Sequence, residues 1–365
     1  MVYEAGLPLS FFEHSAVQAF LHRLRPAYQL PHRTRLSTTL LDNSYRSVKE
    51  EVEEYLEKQD NLCISFDESN DVANNRIMNI SITTERGAFH HENIDLGAIA
   101  VTAEFCAEKI EQQARLITKG QLERISSIST DTCDTMLKTA RLLQALPSFQ
   151  HAFMVPCDPH GLQLLIQDIC ESPTFREAVR KADEIVSHFK GSKKQYQVLK
   201  QLQRELCPSP QGKAYALILR GKTRWGSCAG EIQRLISQAK ALRAFTTDTR
   251  IEDTIKKEGR LANVVETIQS RLFWFLLADL EEIITPISNA QVEAQTDRSH
   301  LGYVKGRWDK LWQHLRDCER RSPTVFTASF WQTLEARKKR QLSELHSLAH
   351  WLQPQTVINS RFEPG

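Results

Sequence analysis

Two short segments decide how this sequence is expected to fold: Asn61-Leu62-Cys63-Ile64-Ser65-Phe66-Asp67 and Ile125-Ser126-Ser127-Ile128-Ser129-Thr130-Asp131. Each alternates apolar with small polar residues, which is typical of a β-strand with one buried face, and each ends in an aspartate. If the two strands are neighbours in one sheet, Asp67 and Asp131 lie at the same edge. Two such carboxylates can bind Mg²⁺ or Mn²⁺, which prefer oxygen ligands and support phosphodiester chemistry. The alternative is that each aspartate only caps the turn after its strand.

The residues around these two segments predict a mixed sheet. Further strands are predicted at 76–84, 89–101 and 151–157, and helices at 103–118, 133–146 and 161–171. The short turns between the first three strands allow only antiparallel pairing, and the later helical crossovers are expected to be right-handed. The resulting order, β-β-β-α-β-α-β-α, gives an α/β fold with a mixed five-stranded sheet. Its first strand lies between the meander and the fourth strand, which is the pattern of the ribonuclease H-like fold.

Helical segments are predicted on both sides of the sheet. The N-terminal cap ends in a helix with Leu41, Tyr45, Val48, Val52 and Tyr55 on one face. The C-terminal part is expected to be an all-helical insertion domain, in which Pro286 and a loop at 291–301 separate a helix at 261–284 from one at 303–318. The predicted boundaries are 1–57 for the cap, 58–235 for the core with a basic helical extension, 236–352 for the insertion domain and 353–365 for a tail.

Composition narrows the class of protein without naming a function. The net charge is +2, so any surface that binds nucleic acid must be local. No apolar run approaches the roughly 20 residues that cross a bilayer, so no membrane partner is expected. The eight cysteines include no Cys-x-x-Cys pair, which favours reduced thiols and an intracellular protein over a structural zinc site.

Several further motifs carry both a functional and a simpler interpretation. Cys157 and His160 lie three apart at the start of a helix, where they supply half of a zinc site or merely order the turn. Arg224 and Trp225 suit a phosphate and an unstacked base, or else a core anchor with an arginine reaching outward. The segment 181–200, which includes Lys193 and Lys194, either follows a phosphate backbone or is a solvated helix face. The basic run 337–340 is a weak nuclear-localisation pattern.

The order of these motifs resembles the transposases of the hAT superfamily and their cellular relatives. After the first acid-tipped strand come Ser-Thr-Asp-Thr-Cys-Asp-Thr-Met at 129–136, Pro-Cys-Asp-Pro-His-Gly-Leu-Gln-Leu-Leu-Ile-Gln-Asp-Ile at 156–169 and Thr-Arg-Trp-Gly-Ser at 223–227. The opening Ala-Gly-Leu-Pro-Leu-Ser-Phe-Phe-Glu-His at 5–14 is similar to the start of the same region. The resemblance extends from about residue 5 to about residue 354.

The resemblance implies roles for six residues. Asp67 and Asp131 match the first and second metal-binding acids, which would hold Mg²⁺ or Mn²⁺ in an active enzyme. Cys157 and His160 match an element beside the active site. Arg224 and Trp225 match a pair that handles flanking DNA and a flipped base.

The departures from the family pattern concern catalysis. Glu68 stands where the family has Trp, Thr132 stands where it has Asn, and the third catalytic Glu and the dimerisation region near it have no match. The N-terminal BED zinc finger also has no match. We therefore expect a transposon-derived protein, truncated before the third acid and catalytically inactive, whose core binds DNA or a protein partner in the nucleus. Two alternatives stay open: a metal-dependent nuclease that obtains its third acid elsewhere, including in a homo-oligomer, and a non-functional remnant.

Overall fold

The computed structural model describes residues 2–207, 209, 212–221, 226–296 and 298–354, with Lys256 described by its backbone alone. Contacts divide the chain into two compact units. The first comprises Met1–Ser129 and Leu137–Met154, and the second comprises Thr130–Met136 and Val155–Gly365.

The first unit contains the sheet and the N-terminal helices. Its elements in chain order are α1 (Ser15–Leu24), α2 (Arg33–Ser37), α3 (Thr39–Glu57), β1 (Leu62–Asn70), β2 (Arg76–Thr84), β3 (Gly87–Asp95), α4 (Ala103–Thr118), β4 (Ile125–Thr130), α5 (Asp134–Ala145) and β5 (Phe153–Pro156). The ends of β4 and β5 and the start of α5 fall at the boundary between the units. The predicted third strand was too long, because the chain leaves β3 at Asp95 and turns through Gly97, whose φ is +45°.

The strand order is β3-β2-β1-β4-β5, which confirms the predicted position of the first strand. Strand β2 pairs antiparallel with both β1 and β3, and β1 pairs parallel with β4. In the parallel pair, Cys63 is opposite Ser127 and Ser65 is opposite Ser129. The chain therefore has the mixed five-stranded α/β sheet that the alternation of residues indicated.

Burial of alternate residues explains why these segments are strands. Three residues of β1 are buried and their neighbours are not, and β2 repeats the pattern. The buried residues are Leu62, Ile64 and Phe66 on β1 and Met78, Ile80 and Ile82 on β2. Because side chains alternate between the two faces of a strand, each of these two strands presents one apolar row to the core.

Helix α3 is exposed over more than half of its length. Every residue from Leu41 to Glu51 is exposed, including Leu41, Tyr45 and Val48. Both ends of α3 are packed: Leu40 lies against the small apolar cluster of the N-terminal segment, whereas Leu56 is buried and the ring of Tyr55 lies 5.5 Å from that of Phe89. The predicted apolar face of this helix exists, but most of it contacts solvent.

The second unit is helical. Its helices are α6 (Asp158–Cys170), α7 (Arg176–Gly191), α8 (Lys193–Leu206), α9 (Ser227–Ser237), α10 (Ala239–Phe245), α11 (Glu252–Lys257), α12 (Gly259–Gln269), α13 (Arg271–Ala294), α14 (Leu301–Arg321), α15 (Ala328–Gln341) and α16 (Glu344–Trp351). One continuous apolar cluster joins α6 through α10 and α12 through α15, with Trp308, Phe189 and Phe245 fully buried in it. Helix α6 packs on α13 and α15, and α16 packs on α14.

The helices around Pro286 differ from the prediction in two ways. The predicted helix at 261–284 is two helices, because Ser270 ends α12 and its hydroxyl accepts a hydrogen bond from Phe273 N at the start of α13. Helix α13 then continues through Pro286, where a break was expected. Pro286 has no N–H for the carbonyl of Glu282, and His314 Nε2 of α14 donates to that oxygen at 3.0 Å instead. A side chain from the next helix thus supplies the hydrogen bond that proline removes.

The close packing of α16 on α14 depends on glycine. A Cβ atom at Gly302 would lie 3.0 Å from the carbonyl oxygen of Ala349, and one at Gly306 would lie 3.0 Å from the ring of His350. His350 Nδ1 also donates to the carbonyl of Gly302 at 3.2 Å. Glycines one turn apart on α14 therefore let the backbone of α16 approach closely. Over the part of the chain that the structure describes, no helix is both long and apolar enough to cross a membrane.

Candidate functional site

The pairing of β1 with β4 helps to locate the two predicted metal-binding acids, Asp67 and Asp131. Asp67 lies two residues after Ser65, and Asp131 lies two residues after Ser129, the residues that pair across these parallel strands. Side chains on a strand alternate between its faces, so Asp67 lies in the same row of β1 as Ser65. Asp131 comes directly after the last residue of β4.

Each aspartate has its own surroundings. Asp67 is exposed on β1, opposite Asn79 of β2 in the register. Asp131 is half-buried just after β4, and its Oδ1 accepts a hydrogen bond from Cys133 N at 2.9 Å. That bond is the turn-capping role considered for Asp131 as the simpler interpretation. It leaves the second carboxylate oxygen, Oδ2, outside the cap.

The segment after β5 carries the predicted pair Cys157 and His160, and both side chains are half-buried. The backbone of Cys157 is anchored at both ends: its N–H donates to the carbonyl of Thr130 at 2.8 Å, and its own carbonyl accepts from Gly161 N at 3.0 Å. These two backbone hydrogen bonds agree with the simpler interpretation, in which the motif orders a turn. Within the described residues, no group of three or more histidine, cysteine or acidic side chains is placed to hold a metal ion.

The residue between them, Asp158, was not among the predicted site residues. Its carboxylate is buried at the first turn of α6, where it forms an ion pair with Arg307 and accepts from Trp308 Nε1 at 2.7 Å. Arg307 is itself buried and also donates to Ser299 Oγ at 3.1 Å. Burial raises the pKa of Asp158, which the hydrogen bond from Trp308 and the charge of Arg307 only partly oppose. This pair joins α6 to α14.

A second contact secures the same end of α6. Gln341 of α15 donates through Nε2 to the carbonyl of Pro156 at 3.1 Å. Its side chain lies over Gly161, where a Cβ atom would come 2.1 Å from Gln341 Oε1. The glycine after His160 therefore leaves room for an amide that satisfies the last carbonyl of β5.

The predicted nucleic-acid residues fall into two groups. Arg224 and Trp225 lie outside the described residues. Lys193 and Lys194 are exposed at the first turn of α8, and Lys190 is exposed at the last turn of α7. Two other residues of this basic segment are engaged inside the unit, since Phe189 is fully buried and His188 is hydrogen-bonded to Gln195. The segment is thus part core helix and part lysine-rich turn, and we call Lys190, Lys193 and Lys194 the lysine turn.

Two of the four residues in the basic run at 337–340 form contacts within the helical unit. Arg337 forms a two-bond ion pair with Asp168, at 2.7 and 3.1 Å. Lys338 lies 3.3 Å from Asp309 and 4.7 Å from the centre of the Trp312 ring. These contacts are an alternative explanation for the basic residues, because they connect α15 to α6 and α14.

The helical unit also contains a buried acid, Glu231, whose burial the sequence did not predict. Glu231 of α9 is 1% exposed, and its Oε2 lies 3.7 Å from Arg220 Nε. Arg220 gives two hydrogen bonds, of 2.9 and 2.6 Å, to Asp183 of α7. Burial first, and then the charge and hydrogen bond of Asp183, raise the pKa of Glu231 to about 8, while Arg220 opposes this rise. The surroundings of Glu231 therefore favour its protonated form near neutral pH.

Comparison with known proteins supports the resemblance seen in the sequence. Residues 31–185 match a family model described as "Domain of unknown function (DUF659)", a range that includes Asp67, Asp131, Cys157 and His160. The chain is also 21% identical over 308 residues to "Zinc finger BED domain-containing protein 4" of Homo sapiens, covering 81% of this chain and 24% of that protein. It therefore spans about a quarter of the length of this relative. The two matches support a relation to hAT-like, transposase-derived proteins.

Proposed function

We propose that this chain is a hAT transposase-derived protein with a ribonuclease H-like core that binds DNA or a protein partner and does not cut DNA. The observation that supports this most is the strand order, in which β1 lies between antiparallel β2 and parallel β4. Asp67 lies on β1 and Asp131 comes directly after β4, each two residues after one of the paired serines Ser65 and Ser129. The match of residues 31–185 covers the same strands. The predicted division at 57, 235 and 352 belongs to this proposal, as does a nuclear location.

The two aspartates suit a divalent cation in part. Asp131 accepts a backbone hydrogen bond from Cys133 N, and Asp67 is exposed. If Mg²⁺ or Mn²⁺ binds, these two carboxylates would hold it, and the ion would supply charge stabilisation to a phosphodiester. Cleavage needs a third acid to complete a two-metal clamp, and such a group is worth several kcal/mol in the transition state.

Three glutamates, Glu68, Glu92 and Glu231, are candidates to replace the third acid, and the surroundings of each support inactivity. Glu68 accepts two hydrogen bonds from Arg76, at 2.9 and 2.8 Å, and is thus committed to a neighbouring strand. Glu92 is exposed on β3, which is separated from β1 by β2. Glu231 is buried beside Asp183 and Arg220. None of these three positions therefore requires a catalytic role for the glutamate.

The first test is cleavage. With a DNA hairpin or a transposon-end mimic and Mn²⁺, we expect the wild-type chain and Asp131→Asn to give the same background rate of nicking, because the acid set is incomplete. The assay is a denaturing gel of end-labelled DNA across a Mn²⁺ titration. Nicking by the wild type that disappears in Asp131→Asn would contradict inactivity and favour the nuclease alternative. Cooperative thermal unfolding of the same sample separates an inactive binding protein from a misfolded remnant.

The lysine turn is the surface that best supports DNA binding. Lys193 and Lys194 occupy the first turn of α8, where the positive end of the helix dipole disfavours cations. Their positions therefore weaken the helix slightly, and a phosphate backbone would offset this cost. Lys190 adds a third exposed charge across the short connection at Ser192.

The second test changes this turn. Lys193→Ala with Lys194→Ala is expected to weaken binding to duplex DNA about tenfold near physiological salt, and to lower the slope of log K against log salt by about 2, because two phosphate contacts are lost. Fluorescence anisotropy at several salt concentrations measures both quantities. The matched control is Lys240→Ala with Lys257→Ala, which removes two exposed lysines from α10 and α11 of the same unit. Equal losses in both double variants would mean that only net charge matters.

A further inference from the structure

The exposed half of α3 has the residue spacing of a helix that pairs with another helix. Leu41, Tyr45, Val48 and Val52 are separated by steps of four, three and four, which places them in one line along the helix. Three of them are 41%, 61% and 59% exposed in chain order, and Val52 is half-buried. An isolated helix of this length is only marginally stable in water, and most helical stability comes from packing an apolar face.

The charges along α3 indicate which partner and which direction fit this line. Asp42 and Lys49 flank the line on the same side, one residue after Leu41 and one after Val48. In an antiparallel pair of α3 helices, Tyr45 faces Val48 of the second copy and Leu41 faces its Val52. Asp42 then lies beside Lys49 of the second copy, and the same pair repeats by symmetry.

The ends of the helix are complementary in the same direction. The C-terminal half of α3 is acidic, with Glu50, Glu51, Glu53, Glu54 and Glu57, whereas Arg33 and Arg35 precede the helix on α2. Antiparallel pairing brings each acidic end beside the basic segment of the other copy. Parallel pairing would put the acidic halves side by side, which like charges disfavour.

We propose that this chain self-associates through an antiparallel pair of α3 helices, with Leu41, Tyr45, Val48 and Val52 as the buried seam. Four layers make a small interface, so the dimer is weak and forms at high protein concentration. The proposal is independent of DNA binding, because it rests on the exposure and charges of α3 alone.

The experiment is sedimentation velocity of the full chain over a concentration series, with and without substitutions on the seam. The wild-type chain is expected to move from a 41.9 kDa monomer towards twice that mass as concentration rises. Tyr45→Lys with Val48→Lys puts lysines opposite each other at the centre of the seam, so it should remain a monomer throughout while keeping the melting temperature of the wild type, because both side chains are exposed in the single chain. Val72→Glu, at a fully exposed position in the turn between β1 and β2, is the matched control and should dimerise normally.

A charge exchange tests the antiparallel direction. Asp42→Lys puts two lysines together at each of the two symmetry-related contacts and should abolish the dimer. Adding Lys49→Asp restores opposite charges and should recover it. A wild-type chain that stays monomeric at all concentrations would overturn the proposal, and a different protein would then be the candidate partner for the apolar face. A dimer that survives Tyr45→Lys with Val48→Lys would also overturn it, because another surface would hold the copies together.

Discussion

Replacing Asp158 by alanine is expected to cost about 4 kcal/mol of unfolding free energy, because removing one partner of a buried ion pair leaves the other charge without compensation. Arg307 would keep its charge inside the unit, and Trp308 would lose the acceptor of its Nε1–H. Arg307 would retain only Ser299 and the more distant Glu293, whose Oε1 lies 3.6 Å away. Asp158→Asn keeps an oxygen for Trp308 and should lose less.

Urea unfolding followed by tryptophan fluorescence measures this loss, and α6 provides a matched control. Asp168 lies on the same helix and also pairs with an arginine, Arg337 of α15. That pair is nearer to solvent, so Asp168→Ala is expected to cost about 1 kcal/mol. The expected order of stability is therefore wild type, Asp168→Ala, Asp158→Asn and then Asp158→Ala. If both alanine variants lost the same amount, burial of the Asp158 pair would not be the cause.

Glu231→Gln is expected to remove a pH dependence from the stability of the chain. The pKa of Glu231 is about 8 in the fold and 4.5 in its ordinary state, so the folded chain binds one more proton between these values. Stability falls with rising pH wherever the folded state holds more protons. The contribution is fully present below pH 4.5 and is lost as pH rises through about 8. At ~1.4 kcal/mol per pKa unit, the upper limit of this loss is ~5 kcal/mol.

The measurement compares urea unfolding at pH 6 and pH 9. Glutamine resembles the protonated acid at every pH, so Glu231→Gln should be more stable than the wild type by about 2 kcal/mol at pH 6 and by about 5 kcal/mol at pH 9, a difference that grows by about 3 kcal/mol between the two pH values. Glu184→Gln is the control, because Glu184 is exposed on α7 and pairs with Arg180 at the surface. A wild-type chain whose stability difference from Glu231→Gln is the same at both pH values would show that Glu231 is already ionised in the fold.

The sheet was predictable because its pairing depends on nearby residues. Turns as short as the one through Asn74, whose φ is +67°, leave antiparallel hairpins as the only possibility for β1 to β3. The alternation of Leu62, Ile64 and Phe66 then fixes which face is buried. The first strand was therefore placed correctly between β2 and β4, whereas the roles of Asp67, Asp131, Cys157 and His160 stay predictions.

The features that could not be predicted depend on partners distant in sequence. Asp158 looks like an ordinary helix-start residue before Pro159, and its partner Arg307 lies 149 positions away. Pro286 predicts a break by every local criterion, and only the three-dimensional position of His314 allows the helix to continue. The apolar face of α3 was read correctly from its spacing, but spacing does not tell whether a face is covered.

The division of contacts between the two units has a consequence for synthesis on the ribosome. The residues of the first unit all precede Val155, and four of the five strands are finished by Thr130. At ~5–20 residues per second, making residues 155–365 takes roughly 10–40 s. Small domains fold in far less time than this. The nascent sheet is therefore expected to form while the helical unit is still being translated, so a chain truncated beyond Val155 would contain a folded first unit rather than a random coil.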